Sequence, residues 1–448
     1  VTGGGEGAEA ARELLEKSRV HTVECVFPDV WGTPRGKRLP TSHFLKILDR
    51  GFALANVVLV WDLHSDLFDT PFCPWGNGWP DMAAIPDVST LRLATWREGT
   101  AVCICETVDE QTHEPLVVNP RHQLARAVER VQGLGYEPVV ATEIEFHLCS
   151  TDWEPLYSGV HCYSITKGAE VAPIVGDICD KLAGIGIVVE AWNVEYGPAQ
   201  VEVNLEYGSA LHVADNTMLF KYVVKEVARQ HGVRATFMAK PFPKEAGNGL
   251  HVHQSLRSPQ TGENAFADAD LEGDGPIRSS LMRRWLTGML AHQIELTQVN
   301  CPTVNSFKRF EDYSFAPTCV CWGGDNRTVA VRTIVGHGAA TRLEARGAAA
   351  DANPYLVVAG LLHAGADGLL QELPLPEFTD GDAYVDTTSP RLPATLADAI
   401  TALEGSSFCR EAFGDMFVDT FAAMGRHEFD LFMRQVTDWE RTRYMEVV

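Results

Sequence analysis

The stretch EPVVATEIEFHL at 137–148 alternates strictly. Val140, Thr142, Ile144, Phe146 and Leu148 fall on one face of a strand, and Glu143 and Glu145 fall on the other. A single strand of this kind reads as half-buried, with its acids in water. The arrangement recurs, however. AQVEVNLE at 199–206 sets Gln200, Glu202 and Asn204 against Val201, Val203 and Leu205. LHVHQSL at 250–256 sets His251, His253 and Ser255 against Leu250 and Val252, and TRLEARG at 341–347 sets Arg342, Glu344 and Arg346 against Leu343 and Ala345. VVEAWNVEYG adds Glu190 and Glu195. Strands that repeat such a face line the interior of a half-open barrel with functional groups. Glutamate and histidine together point to hard divalent cations, Mg²⁺ or Mn²⁺, and nearby arginines to phosphate or carboxylate ligands. Periodicity thus reaches a metal-dependent site for an anionic substrate. It does not separate a ligase from a phosphatase or a metallohydrolase.

The chain has 448 residues, enough for one large domain and a smaller one. A formal net charge of −23 argues against nucleic acid or an anionic membrane as partner. The longest apolar run, FALANVVLVW at 52–61, is half the ~20 residues a membrane span requires, and no signal peptide is visible. The 11 cysteines include no CxxC pair, and Cys103/Cys105 and Cys319/Cys321 lie in apolar runs, so a reduced, cytoplasmic protein is expected. Neither G-x-G-x-x-G nor G-x-x-x-x-G-K-[ST] occurs, so any nucleotide is held without those loops. Residues 8–18 and 119–135 read as helices, the second capped and ending in glycine. TSHFLKILDR at 41–50 opens with a cap signal, and 20–27 and 100–109 read as strands. A boundary near 115–119 separates a small N-terminal α+β unit from the rest.

Taken in order, TEIEFHL, VVEAWNVEYGPAQVEVNL, TFMAKPFPKEAGNGLHVHQSL, TVNSFKRFEDYSFAP, GGDNRTVAVR and RLEARGAAADANPYLVVAGLL resemble glutamine synthetase, in its bacterial type I branch and amine-ligating relatives. The resemblance implies an α+β fold: an N-terminal β-grasp domain at 1–115 and a catalytic domain at 116–448, with an antiparallel sheet forming a half-open barrel flanked by helices. It implies a homo-oligomer, a dodecamer of two hexameric rings, in which the N-terminal domain of one subunit completes its neighbour's site. It implies Glu145, Glu195 and Glu202 on a first metal, and Glu143, His251 and Glu344 on a second. Glu190, His253, Ser255, Arg332 and Arg342 correspond to nucleotide contacts. Arg309, Arg346 and the backbone at Gly247 correspond to glutamate contacts, and Arg327 to an arginine beside the transferring phosphate. The implied chemistry uses ATP as co-substrate to make γ-glutamyl phosphate, which an amine then attacks.

The chain departs from the family at two acids that serve ammonium. Their positions hold Ala55, in GFALANVV, and Phe315, in SFAP. An apolar side chain cannot pair a buried cation, so the reading is a γ-glutamyl-amine ligase for an organic primary amine. The asparagine before the family's glycine is Ala246 here, which bears on strictness for glutamate. Two alternatives stay open: a glutamine synthetase using ammonium, and an inactive structural or regulatory homologue. The flanks of Tyr384 do not match the family's adenylylated tyrosine, so no such regulation is expected.

Overall fold

The computed structural model describes residues 5–267 and 275–448. The N-terminal part is a mixed six-stranded sheet. Its strands are β1 (Thr22–Pro28), β2 (Pro34–Pro40), β3 (Phe52–Ala55), β4 (Asp81–Pro86), β5 (Arg92–Leu93) and β6 (Thr100–Asp109), in the order β2-β1-β6-β4-β3 with β5 beside β6. β1 and β6 run parallel at its centre and the other pairs are antiparallel, as a β-grasp requires. The capped helix expected at 41–50 is a single turn, Thr41–Phe44. The Thr41 hydroxyl donates to the Val20 carbonyl (2.8 Å) instead of capping the helix.

A helix, Pro120–Gly133, opens the second part. The Asn119 side chain caps it by accepting from the amides of Arg121 and His122, and Pro120 stands where no amide is needed. Nine strands follow: β7 (Glu137–Cys149), β8 (Val189–Val194), β9 (Gln200–Leu205), β10 (Gly208–Ser209), β11 (Arg234–Thr236), β12 (Leu250–Arg257), β13 (Trp322–Gly324), β14 (Val331–Ile334) and β15 (Arg342–Ala345). They curve into a half-open barrel in the order β13-β14-β15-β12-β7-β9-β8, antiparallel except for β13 with β14. The alternation in the sequence is the alternation of this sheet. Ile144, Phe146, Val201, Val203, Leu250, Val252 and Leu343 are buried in the core that includes the helices Ala210–Gln230 and Pro354–Leu370, leaving the opposite face for polar groups. The class is α+β, with helices flanking one face of the large sheet.

The two parts pack on one core and are tied by buried charge. Arg121 reaches Asp215 (3.0 Å) on the long helix and Asp87 (3.0 Å) in the N-terminal part, and also pairs with Glu106. No helix among the described residues is long and apolar enough to cross a membrane.

Candidate active site

Strand register brings the polar faces together. His251 on β12 pairs with Glu143 on β7, Glu145 on β7 pairs with Glu202 on β9, and Glu344 on β15 pairs with both His253 on β12 and Arg332 on β14. Directly opposite residues share a face, so four strands deliver glutamates and histidines to one place. His251 Nδ1 lies 2.7 Å from Glu143 Oε1 and 3.5 Å from Glu344 Oε1. Two donor sets have ligand atoms within 4.8 Å of one another: Glu143, His251 and Glu344, and Glu145, Glu202 and His251. Glu195 lines the same cavity, but its oxygens are held by Asn193 Nδ2 (2.8 Å), the Tyr196 amide (3.1 Å) and the Cys162 thiol (3.5 Å).

The cavity, about 170 Å³, also takes in Gly247, Arg309, Arg327, Arg346, Phe315, Tyr196, Tyr163 and Cys162. Arg309 is buried and donates to the Ala348 carbonyl (3.0 Å). Arg346 Nη1 pairs with Glu344 and Nη2 reaches the Phe315 carbonyl (3.4 Å). Beyond the cavity, along β12, β14 and β15, Arg342 donates to His253 Nδ1 (3.2 Å), and Arg332 bridges Glu344 (2.9 Å) and Asp325. Ser255 follows on the same face of β12. Glu190 stands exposed at an irregularity of β8, between Val189 and Ala191, and is not brought to this group. Ala55 ends β3 in the first sheet and does not line the cavity of its own chain.

The donor set fits divalent cations, and its electrostatics ask for them. Burial, followed by the charges of Glu143, Glu145 and Glu195, pushes the Glu202 carboxyl up to about 10. Glu195 is raised by burial and then by Glu145. Burial also works against Glu143, but hydrogen bonds and charge from His251 and His253 hold it well below the usual carboxylate range. Glu344 is held at about 2 because Arg346, His251 and His253 outweigh its burial. A cation among these oxygens offsets both the burial and the repulsion that raise Glu202.

Near pH 7, Mn²⁺ binding to the metal-free protein is therefore expected to release about one proton per site, measured by calorimetry in two buffers of different ionisation enthalpy. Zero release would show Glu202 already ionised. The folded metal-free protein keeps that proton up to about pH 10, whereas the unfolded chain loses it near the ordinary carboxyl value. Its contribution to stability is thus fully present below the unfolded value and is lost as pH rises through about 10.

Several site residues carry no obvious signal in sequence. Tyr196 packs against Phe315, ring centroids 5.4 Å apart, and only the flanking Glu195 marks it. Phe315 adopts φ +59°, in the left-handed region, and is 41% exposed towards the cavity mouth. Ser314 Oγ donates to the Arg309 carbonyl (2.8 Å), and the buried Tyr384 hydroxyl donates to the Ala316 carbonyl (3.1 Å), so this flap is tied down on both sides of Phe315. His147 is the third polar residue at two-residue spacing on β7 after Glu143 and Glu145, a signal the alternation did contain.

Comparison with known proteins agrees with this geometry. The pattern of the glutamine synthetase catalytic domain matches residues 117–444. A glutamate–isopropylamine ligase of a Pseudomonas species is 36% identical over 98% of this chain and 97% of its own. A γ-glutamylethanolamide synthetase of Streptomyces coelicolor is 38% identical over 98% of this chain and 96% of its own. The solved structure of GmaS without ligand superposes with a TM-score of 0.85 at 30% identity, over 98% of this chain and 99% of that one. With its carboxylate-and-histidine cavity in the matched region and relatives aligned from end to end, the chain belongs to the glutamine synthetase family of ATP-dependent carbon–nitrogen ligases.

Proposed function

We propose that this protein joins the γ-carboxylate of L-glutamate to an organic primary amine, using ATP and divalent metal. Membership of the family implies both, and relatives that ligate isopropylamine and ethanolamine to glutamate support the choice of amine over ammonium. The observation that carries the reading is the Phe315–Tyr196 pair at the mouth of the metal and arginine cavity. By the resemblance, Phe315 takes the position of a carboxylate that serves ammonium, and Tyr196 packs beside it.

Glutamate is unreactive as a carboxylate, so its γ-oxygen first takes the γ-phosphoryl group of ATP. The neutral amine then attacks the γ-carbonyl, the C–N bond forms, the carbonyl–oxygen bond breaks, phosphate leaves, and the nitrogen gives up one proton to phosphate or solvent. Arg309 and Arg346, which line the cavity with Gly247, would hold the amino acid's carboxylates. Arg327, which lines the cavity, would face the transferring phosphoryl group, and Arg332 and Arg342, with His253 and Ser255, would contact the nucleotide along the sheet. Glu190 is proposed as a further nucleotide contact. Divalent cations held by Glu145, Glu195 and Glu202, and by Glu143, His251 and Glu344, would supply charge neutralisation at the phosphoryl oxygens. Phe315 and Tyr196 shield the amine from water and contact its carbon substituent.

The domain division at 1–115 and 116–448 follows the two sheets. Because Ala55 lies outside its own chain's cavity, it is assigned to a neighbour's site in a homo-oligomer of two hexameric rings. The 11 cysteines, all free, support a reducing cytoplasmic location.

The test is phosphate release from ATP with Mg²⁺ and glutamate across ammonium, methylamine, isopropylamine, ethanolamine, putrescine and aniline, with product masses checked. A monoamine bearing an apolar or hydroxyalkyl substituent is expected to exceed ammonium by about 100-fold in kcat/KM, since a pocket built for a carbon substituent discriminates by a few kcal/mol. Fastest turnover with ammonium would overturn the proposal.

A further inference from the structure

β7 presents Glu143, Glu145 and His147 on one face, but only the glutamates enter the cavity. His147 is fully buried behind it, opposite Gln200 in the strand register. Its Nδ1 lies 2.9 Å from Asn248 Oδ1. Its Nε2 has no hydrogen-bond partner among the described residues and faces Gly197, where a Cβ would come within 2.5 Å of it.

The hydrogen bonds fix the tautomer. Asn248 Nδ2 donates to the Met238 carbonyl (2.8 Å), so Asn248 Oδ1 is the acceptor for both of its other contacts. One donor is Gln200 Nε2 (3.0 Å) and the other must be His147 Nδ1–H. His147 therefore donates through Nδ1–H, which locks its ring to Asn248.

From Asn248 the chain runs into the site. Gln200 Nε2 also donates to the Gly247 carbonyl (2.9 Å) and reaches Glu145 Oε2 (3.3 Å), while Gln200 Oε1 accepts from the Gly197 amide (2.7 Å). Glu145 Oε2 accepts from the Gly249 amide as well (2.6 Å). The segment 247–249 leaves no slack: a Cβ on Gly247 would meet Arg309 Cγ at 2.6 Å, and one on Gly249 would meet Arg309 Nη2 at 3.0 Å. Gln200 thus cross-links a carboxylate of the metal cluster to the backbone that packs on Arg309, and Asn248 aims that amide.

We propose that His147 is a positioning residue that, through Asn248 and Gln200, sets the Gly247 carbonyl for binding the amino-acid substrate. It touches neither substrate nor metal. An amide free to rotate lets Gly247 and the Arg309 stem shift, and the loss falls on amino-acid binding rather than on ATP.

The assignment rests on glutamate being the acid substrate. His147→Leu removes the donor, and His147→Asn places an amide nitrogen close to where Nδ1 stood. In the full-length enzyme, His147→Leu is expected to raise the KM for glutamate about 10-fold, the size expected for one buried hydrogen bond, with KM for ATP and kcat within about 2-fold. His147→Asn is expected to recover most of that loss. Asn248→Ala cuts the chain at its other link and is expected to show the same selective rise, which keeps the test open if the His147→Leu protein does not fold. A folded His147→Leu enzyme with unchanged glutamate KM overturns the proposal, as does a variant in which kcat and both KM values deteriorate together, or a His147→Asn enzyme no better than His147→Leu. A wild-type enzyme that does not use glutamate refutes the substrate reading on which the proposal rests. A glutamate-using wild type with an unaffected His147→Leu variant refutes the positioning chain alone.

Discussion

Glu344→Gln is expected to lower kcat by about 1,000-fold, to weaken Mn²⁺ binding by about 10- to 100-fold, and to lower the melting temperature, since the buried Arg346 loses its carboxylate partner. Glu344 is 1% exposed and is reached by Arg346, Arg332 (2.9 Å) and His251 (3.5 Å). The surrounding positive charge holds it ionised at about 2 despite burial, so it is a carboxylate at any working pH. Glutamine keeps the volume and one acceptor oxygen but removes a full charge from the point where the metal donor set meets the arginines. Charge neutralisation at a transferring phosphoryl group depends on cation position, and a shifted cation forfeits several kcal/mol of transition-state stabilisation. Arg332 retains Asp325 as a partner, which limits the structural cost. Steady-state kinetics with the preferred amine, beside metal titration, reads both effects. Glu137→Gln, which breaks only the surface pair with Arg257, is the control and is expected to stay within about 2-fold. Glu344→Gln activity within 10-fold of wild type would remove Glu344 from the metal site.

Strand alternation was readable because the sheet obeys it: each polar residue at two-residue spacing on β7, β9, β12 and β15 lies on one face, and register turns those faces into a cluster. His147 obeys the same rule, but a buried histidine between Phe146 and Leu148 looks like any other core residue until its partner Asn248, 101 positions away, is seen. The spacing of Glu190 and Glu195 separates the two for a physical reason. Five positions apart on a strand places them on opposite faces, and the irregularity after Val189 leaves Glu190 exposed while Glu195, just past β8, turns into the cavity. Tyr196 and Cys162 were invisible for another reason. Their place in the cavity is set by loops that approach from separate parts of the chain, and loop approach leaves no periodic trace. At 41–50 the cap signal misled, because Thr41 is already the first helical residue, after Pro40 at the N-cap, and its hydroxyl donates to the Val20 carbonyl.

Phe315→Glu is expected to raise the ratio of kcat/KM for ammonium to that for the preferred organic amine by about 100-fold or more. Phe315 sits at the cavity mouth with its carbonyl 3.4 Å from Arg346 Nη2 and its ring 5.4 Å from Tyr196. A small cation entering beside these rings gains cation–π attraction of about 1–2 kcal/mol, whereas a carboxylate offers an ionic hydrogen bond and an acceptor for the proton that must leave nitrogen. The same change removes apolar contact from the amine's carbon substituent, at about 1–3 kcal/mol for a group of one or two carbons. The two effects act in opposite directions on the two substrates, so the ratio moves further than either rate. Backbone strain does not obscure the result: φ +59° at this position is already borne by a side chain with a Cβ, and glutamate adds no branch there. Parallel assays with ammonium and the preferred amine, with glutamate and ATP saturating, give the ratio directly. A ratio unmoved by Phe315→Glu but shifted by Ala55→Asp would place amine selection on the N-terminal sheet that carries Ala55. A ratio unmoved by both, with Tyr196→Ala altering it, would place selection on the tyrosine alone.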